Sequence, residues 1–189
     1  LKRLQILVRP HPSNYKIYGN FKMDGLSVYP KVGQLPDTKE ALQLSYHSYF
    51  YALAATGVFT SAMMEAIIVG KPVIVILADE FRKTQLEAQH FQHFVESGAV
   101  DLAPNLRDFT LALKNILDNQ DGRKPQRKKF VADFVRPRGL EKSAGELAAE
   151  EIENLVRGGS KKLVSLGMPT YNRAHCIKQA IDCLVSQTY

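Results

Sequence analysis

The sequence predicts an α/β fold in which a parallel sheet is flanked by helices. Three observations carry that prediction. Val73-Ile74-Val75-Ile76-Leu77 is a continuous apolar run rich in β-branched residues, the pattern of a strand covered on both faces. Upstream, Gly57-Val58-Phe59 reads as a very short buried strand, and Thr60 or Ser61 can cap a helix that runs to Val69. Gly70 then stands where a left-handed residue ends a helix, and Pro72 blocks any continuation. Strand, helix and strand in such close succession form a βαβ crossover.

The remaining elements follow in order. Leu4 to Val8 is a short strand closed by Arg9-Pro10-His11-Pro12, because proline has no N–H to give to a ladder. Residues 13–45 are mixed, with an extended piece at Ser27-Val28-Tyr29-Pro30 and a turn-rich stretch through Gly33 and Pro36. Ser48 to Ala55 reads as a short helix with Tyr49, Leu53 and Ala54 facing inward. Downstream lie a helix from Arg82 to Ser97 closed by Gly98, a small strand Val100-Asp101-Leu102, and a helix from Leu106 to Leu117 introduced by Asn105. Lys128 to Val135 is helical up to Pro137, and a long helix runs from Leu140 to Val156 with Leu147, Ile152 and Leu155 on its apolar side. Arg157 to Lys162 is a linker by composition. Leu163 to Met168 then starts a new strand, Pro169 to Arg173 forms a loop, and Ala174 to Gln187 forms a helix.

Composition narrows the class. In 189 residues, 45% are apolar and 23% charged, which is ordinary for a globular protein. No apolar run approaches the roughly 20 residues of a membrane span, and no signal-peptide pattern opens the chain. Cys176 and Cys183 are the only cysteines, too few for a disulfide framework. The expected location is therefore cytoplasmic. The formal charge is +6, and much of it lies in Arg123 to Lys129. That stretch reads as a loop with a solvated basic face. Contact with an anionic membrane at its inner face is the second reading, and nucleic acid is set aside because no aromatic residues interleave with the basic ones. The chain opens on Leu1 almost directly before a strand and ends at Tyr189 within a helical pattern, so it is expected to be a piece of a longer protein.

Two groups of residues can carry chemistry. At Thr60-Ser61 a helix N-terminus offers unpaired backbone N–H groups and a partial positive charge to a phosphate. Glu65 lies one turn further on, where a carboxylate can accept both hydroxyls of a ribose. The plain alternative is an ordinary cap with a glutamate that favours the helix dipole. Arg9 and His11 stand in the turn that closes the first strand, where His11 can bond a local carbonyl. Glu87, His90 and His93 share a helix face, but nothing completes a metal site there and the helix needs none. His47, beside Tyr46 and Tyr49, lines a pocket or sits in a loop.

Thr60-Ser61-Ala62-Met63-Met64-Glu65-Ala66 followed by Gly70-Lys71-Pro72-Val73-Ile74 resembles the donor-binding segment of GT-B transferases. It is most similar to the bacterial CDP-glycerol glycerophosphotransferase-like and capsule polysaccharide enzymes. Arg9-Pro10-His11-Pro12 is similar to their histidine-proline loop, which points at the donor phosphates. Thr60 departs from the pair of adjacent serines frequent in that family, though a hydroxyl survives at each position. The resemblance implies that residues 1–156 are a Rossmann-like, nucleotide-binding half of a GT-B fold. Arg9, Thr60, Ser61 and Glu65 would hold the donor, and His11 would assist catalysis. Residues 163–189, through Val164 to Arg173 and Ser186-Gln187-Thr188-Tyr189, resemble the opening of a family 2 glycosyltransferase of GT-A fold, joined by the linker 157–162. In that family the loop carrying Thr170, Tyr171 and Asn172 packs against the base and ribose. The metal-binding motif and general base of a complete GT-A domain would lie further on, so a divalent metal belongs to that complete domain and no cofactor is expected here.

The resulting expectation is a fragment of a polysaccharide-assembly transferase. It would bind a nucleotide diphospho-sugar or a CDP-polyol for transfer to a glycan or lipid-linked acceptor, and would be inactive by itself. Two other readings stand beside it: half of a sugar-nucleotide epimerase, and a non-catalytic module that docks on a membrane or partner.

Overall fold

The computed structural model describes residues 4–157 apart from 34, 36, 82–84 and 87, together with Asp182. Residues 158–162 of the expected linker and, apart from Asp182, the segment 163–189, with Thr170, Tyr171, Asn172 and both cysteines, lie outside the described residues, and Arg157 belongs to a helix rather than to the linker. The chain divides into two compact units, Leu1–Gly139 and Leu140–Tyr189.

The first unit is a mixed α/β structure with two small parallel sheets flanked by helices, consistent with a Rossmann-like arrangement. A single sheet was expected; the strands instead form two. In the first sheet, β1 (Ile6–Val8) pairs in parallel with β2 (Leu26–Val28), with Ile6 opposite Leu26 and Val8 opposite Val28. A single helical turn, α1 (Tyr15–Tyr18), lies between them. In the second sheet, β3 (Ala55–Gly57), β4 (Val73–Ile76) and β5 (Asp101–Ala103) run parallel in that order.

β4 explains the continuous apolar run. Successive side chains point to opposite faces of a strand, and both faces here are covered. Val73 and Val75 belong to a buried cluster with Met63, Ala66, Ile67, Phe91, Phe94 and Phe130. Ile74 belongs to a second cluster with Ala103 and Ile116, against which Ala54, Phe109 and Leu113 pack. The first cluster is supplied by α3 (Ser61–Ile68), α4 (Gln89–Ser97) and the chain near Phe130; the second by α5 (Leu106–Leu117).

The ends of these helices follow from their sequences. α3 closes with Gly70 N–H bonded to Ile67 O at 2.8 Å and Lys71 N–H to Ala66 O at 2.9 Å. Gly70 has φ +81°. That is the Schellman pattern, which satisfies two carbonyls the helix would otherwise leave unpaired. α4 ends at Gly98, φ +65°. It begins at Gln89, with Gln85 and Leu86 helical and a short 3₁₀ turn at Asp79–Phe81 before it, while residues 82–84 and 87 of the expected helix lie outside the described residues. Gln85, 3% exposed, donates from Nε2 to Ile76 O at 3.2 Å. α5 keeps its expected bounds, with Asn105 Oδ1 accepting from Asp108 N–H at 3.0 Å.

Two helices differ from expectation. The helix expected at Ser48–Ala55 is α2, Lys39–Phe50, set by Thr38, whose Oγ1 accepts from Ala41 N–H at 3.1 Å. Leu42 and Leu44 are exposed, so its upstream half carries no apolar stripe to read. Leu53 lies beyond the helix and is 49% exposed rather than inward, whereas Tyr49 and Ala54 pack on the two buried clusters. The basic stretch is likewise a helix, α6 (Lys124–Phe130), with Pro125 in its first turn, where proline's missing N–H does no harm. Arg123, Arg127 and Phe130 are spaced along one face. Arg123 donates from Nη1 to Gly98 O at 3.0 Å and pairs with Asp101. Arg127, 2% exposed, pairs with Asp121, and Phe130 enters the core. Lys124, Lys128 and Lys129 stay exposed. A wide turn follows, closed by Arg136 N–H to Val131 O at 2.8 Å.

The second unit holds α7 (Ala144–Arg157). Its start lies after the expected Leu140 because Ser143 and Glu146 form a reciprocal cap. Ser143 N–H donates to Glu146 Oε2 at 2.6 Å, and Glu146 N–H to Ser143 Oγ at 3.2 Å. These bonds hold the Glu146 carboxyl below its ordinary range.

Candidate functional site

The site is assembled from the chain just beyond two strands. After β1, Arg9 leads into a turn in which Pro10 is buried and His11 exposed. Asn14 N–H bonds His11 O at 2.8 Å, and Ser13 N–H donates to His11 Nδ1 at 3.2 Å. An acceptor role at Nδ1 puts the proton of the neutral ring on Nε2, so the ring supports its own turn with one nitrogen and presents a donor at the other. Gly33 lies against this turn: a Cβ there would meet Pro12 O at 2.5 Å and the Tyr15 ring at 2.8 Å.

After β3 the chain passes through Val58 and Phe59 to the N-terminus of α3. Thr60 and Ser61 are both exposed, and the Thr60 side chain makes no capping bond to the helix. The caps of α2 and α5, by contrast, are closed by Thr38 and Asn105. Four positions after Ser61 on the same face, Glu65 is exposed as well.

The two regions meet on α2. Arg9 is half-buried and donates from Nη1 to Ser48 Oγ at 2.7 Å; Ser48 in turn donates to Leu44 O at 2.7 Å. The next residue, Tyr49, packs against the buried cluster around Phe91. Burial pushes the Tyr49 hydroxyl above its ordinary value, and the charge of Glu65 pushes the same way, while the Arg9 guanidinium pulls it down. Tyr49 is thus a neutral donor throughout the physiological range. One residue of α2 therefore holds a cation from the β1 loop, and the next feels the charge of Glu65 from α3.

Of the residues expected from sequence, Arg9 and Glu65 both act on Tyr49 through their charges. Thr60 and Ser61 lie one turn before Glu65. His11 lies two residues past Arg9, on the exposed side of its turn. Ser48 and Tyr49 were not read as site residues. The signal that could have found them was the Thr38 cap, which fixes the phase of α2 and places both on one turn.

An exposed row of rings continues along α2. Tyr46 and Phe50 stack at 5.5 Å, and Phe50 and Tyr51 meet edge-on at 5.1 Å. The His47 ring lies 5.9 Å from Tyr46 and 5.7 Å from Tyr51. The Lys71 ammonium stands 5.7 Å from the Phe50 ring centroid. On α4 the His93 ring lies 5.0 Å from Phe134. Among the described residues, no cluster of three or more His, Cys, Asp or Glu side chains could hold a metal ion, and no helix is long and apolar enough to cross a membrane. A guanidinium, a helix N-terminus with open hydroxyls and an exposed carboxylate together suit a ligand that carries both anionic oxygens and hydroxyl donors.

Comparison of the chain with protein-family models, curated proteins and solved structures gives no match.

Proposed function

We propose that the first unit binds a nucleotide-activated donor, as the donor-binding half of a GT-B-like transferase in cell-surface polysaccharide synthesis. The donor is a nucleotide diphospho-sugar or a CDP-polyol, and the acceptor a glycan or lipid-linked chain. The observation that carries this reading is the bond from Arg9 to Ser48, next to Tyr49, on whose hydroxyl the charges of Glu65 and Arg9 both act. These are two residues the sequence assigns to opposite ends of one ligand. Arg9 and the N-terminus of α3 supply positive potential for a diphosphate, and Glu65 accepts from ribose hydroxyls. In a complete enzyme the same donors would stabilise charge developing on the leaving phosphate.

Calorimetric titration of the chain with UDP, CDP and GDP tests this. One of them is expected to bind, and Glu65→Ala to weaken that binding by at least about tenfold, the loss of a charge-assisted hydrogen bond. A folded chain that binds none of the three would overturn the reading and favour a docking module instead.

A further inference from the structure

We propose that the segment between β1 and β2 is a membrane-contact surface, by which the first unit rests on an anionic lipid bilayer. From Lys16 the chain reads Lys-Ile-Tyr-Gly-Asn-Phe-Lys-Met, with apolar and basic side chains mixed. Ile17, Phe21 and Met23 are 74%, 56% and 58% exposed, and Lys16 and Lys22 are exposed beside them. A single apolar residue on a surface needs no explanation, but three in one short segment make a patch that does. The backbone beneath them is held. The Tyr15 ring, half-buried, lies where a Cβ on Gly33 would meet it at 2.8 Å. Phe21 N–H bonds Tyr18 O, and Leu26 N–H bonds Met23 O, each at 3.1 Å. The approach of Gly33 to Tyr15 also brings Lys31, which is exposed, to the same side of the first sheet.

Charge decides what covers this patch. Between Tyr15 and Lys31 the sequence holds three lysines, Lys16, Lys22 and Lys31, and one carboxylate, Asp24. An anionic partner therefore fits. The surface is an exposed turn rather than a groove or a long helix face, so it offers a folded partner little shape to match. A bilayer asks for none. Apolar and aromatic tips enter the boundary between headgroups and acyl chains, while lysines reach the anionic headgroups. The other basic segment, α6, lacks this combination. Arg123 and Arg127 are turned into pairs with Asp101 and Asp121, and Phe130 is buried. The contact is peripheral, goes beyond donor binding and does not depend on it.

Co-sedimentation of the full chain with lipid vesicles tests this. The chain is expected to bind vesicles of equal parts phosphatidylglycerol and phosphatidylcholine, and not vesicles of phosphatidylcholine alone. Raising the salt from about 0.1 M to about 1 M shortens the screening length from about 10 Å to about 3 Å and should release most of the protein. Lys16→Gln, Lys22→Gln and Lys31→Gln together are expected to weaken binding about a hundredfold, roughly fivefold for each charge. Ile17→Ser with Phe21→Ser keeps every charge and is expected to weaken it by about tenfold or more. Lys124→Gln, Lys128→Gln and Lys129→Gln remove the same charge from α6 and should cost far less. If the α6 variant loses as much binding as the triple variant of the turn, attraction follows net charge and the turn is not the contact. Binding to neither kind of vesicle also overturns the proposal. So does self-association in sedimentation velocity that Ile17→Ser with Phe21→Ser abolishes, which would make the patch a contact between copies of the chain.

Discussion

At the residue scale, Arg127 shows how little of a basic stretch need be a solvated face. Its guanidinium is 2% exposed and donates to both oxygens of Asp121, at 3.0 Å for Nη1–Oδ1. Among the described residues its Nε has no hydrogen-bond partner, and Asp121 is the carboxylate that pairs with the buried charge. Removing one partner of such a pair costs about 3–5 kcal/mol. Asp121→Asn is expected to fall in that range by urea denaturation. Arg127→Met is expected to be milder, because the Asp121 side chain is 23% exposed and can rehydrate. Equal losses would mean that the pair is not the source. Burial acting alone would raise the Asp121 carboxyl, but the hydrogen bond and charge of Arg127 outweigh it and hold it below the ordinary value. A lowered folded-state value stabilises the fold above the unfolded value of about 3.9 and loses that contribution as pH falls through the folded one. The gap between parent and Asp121→Asn should hold constant from about pH 5 to 8 and narrow below about pH 4.

At the scale of elements, two glycines shape the ends of the site for different reasons. Gly70 closes α3 with φ +81° and has open space where a Cβ would go. Alanine there carries only the left-handed backbone penalty, about 1–2 kcal/mol. Gly33 instead presses on Pro12 and Tyr15, so any side chain must push the His11 turn aside, an overpacking penalty of about 1–3 kcal/mol. Thermal unfolding separates the two causes. Asparagine tolerates the left-handed region, so Gly70→Asn should recover part of the loss seen with Gly70→Ala. Gly33→Asn should be no better than Gly33→Ala.

At the scale of the whole first unit, burial is uneven between the sheets. Ile74 on β4 is fully buried, whereas Ile6 on β1 is 51% exposed. Ile74→Ala is expected to destabilise by about 2–5 kcal/mol, and Ile6→Ala by less than about 1 kcal/mol. Similar values for both would mean that β1 is covered in solution. Amides of β4 should exchange most slowly and those of β1 and β2 sooner, since local opening follows local burial.

Much of this was written locally. The β-branched run of β4, the Asn105 cap of α5, and the glycines that end α3 and α4 each act within a few residues, because caps, left-handed glycines and strand propensity need no distant partner. The α/β character and the positions of Arg9, Ser61 and Glu65 beyond strand ends were legible from these signals. The bounds of α2 were not, since Leu42 and Leu44 stay exposed and leave no periodic stripe. α6 looked like a solvated loop because its charges hide a face whose partners, Asp121, Asp101 and Gly98, lie elsewhere in the chain. The split into two sheets and the bond from Arg9 to Ser48 came from packing. A hydrogen bond between distant segments depends on the separation and angle at which whole elements meet, and no local propensity encodes that geometry.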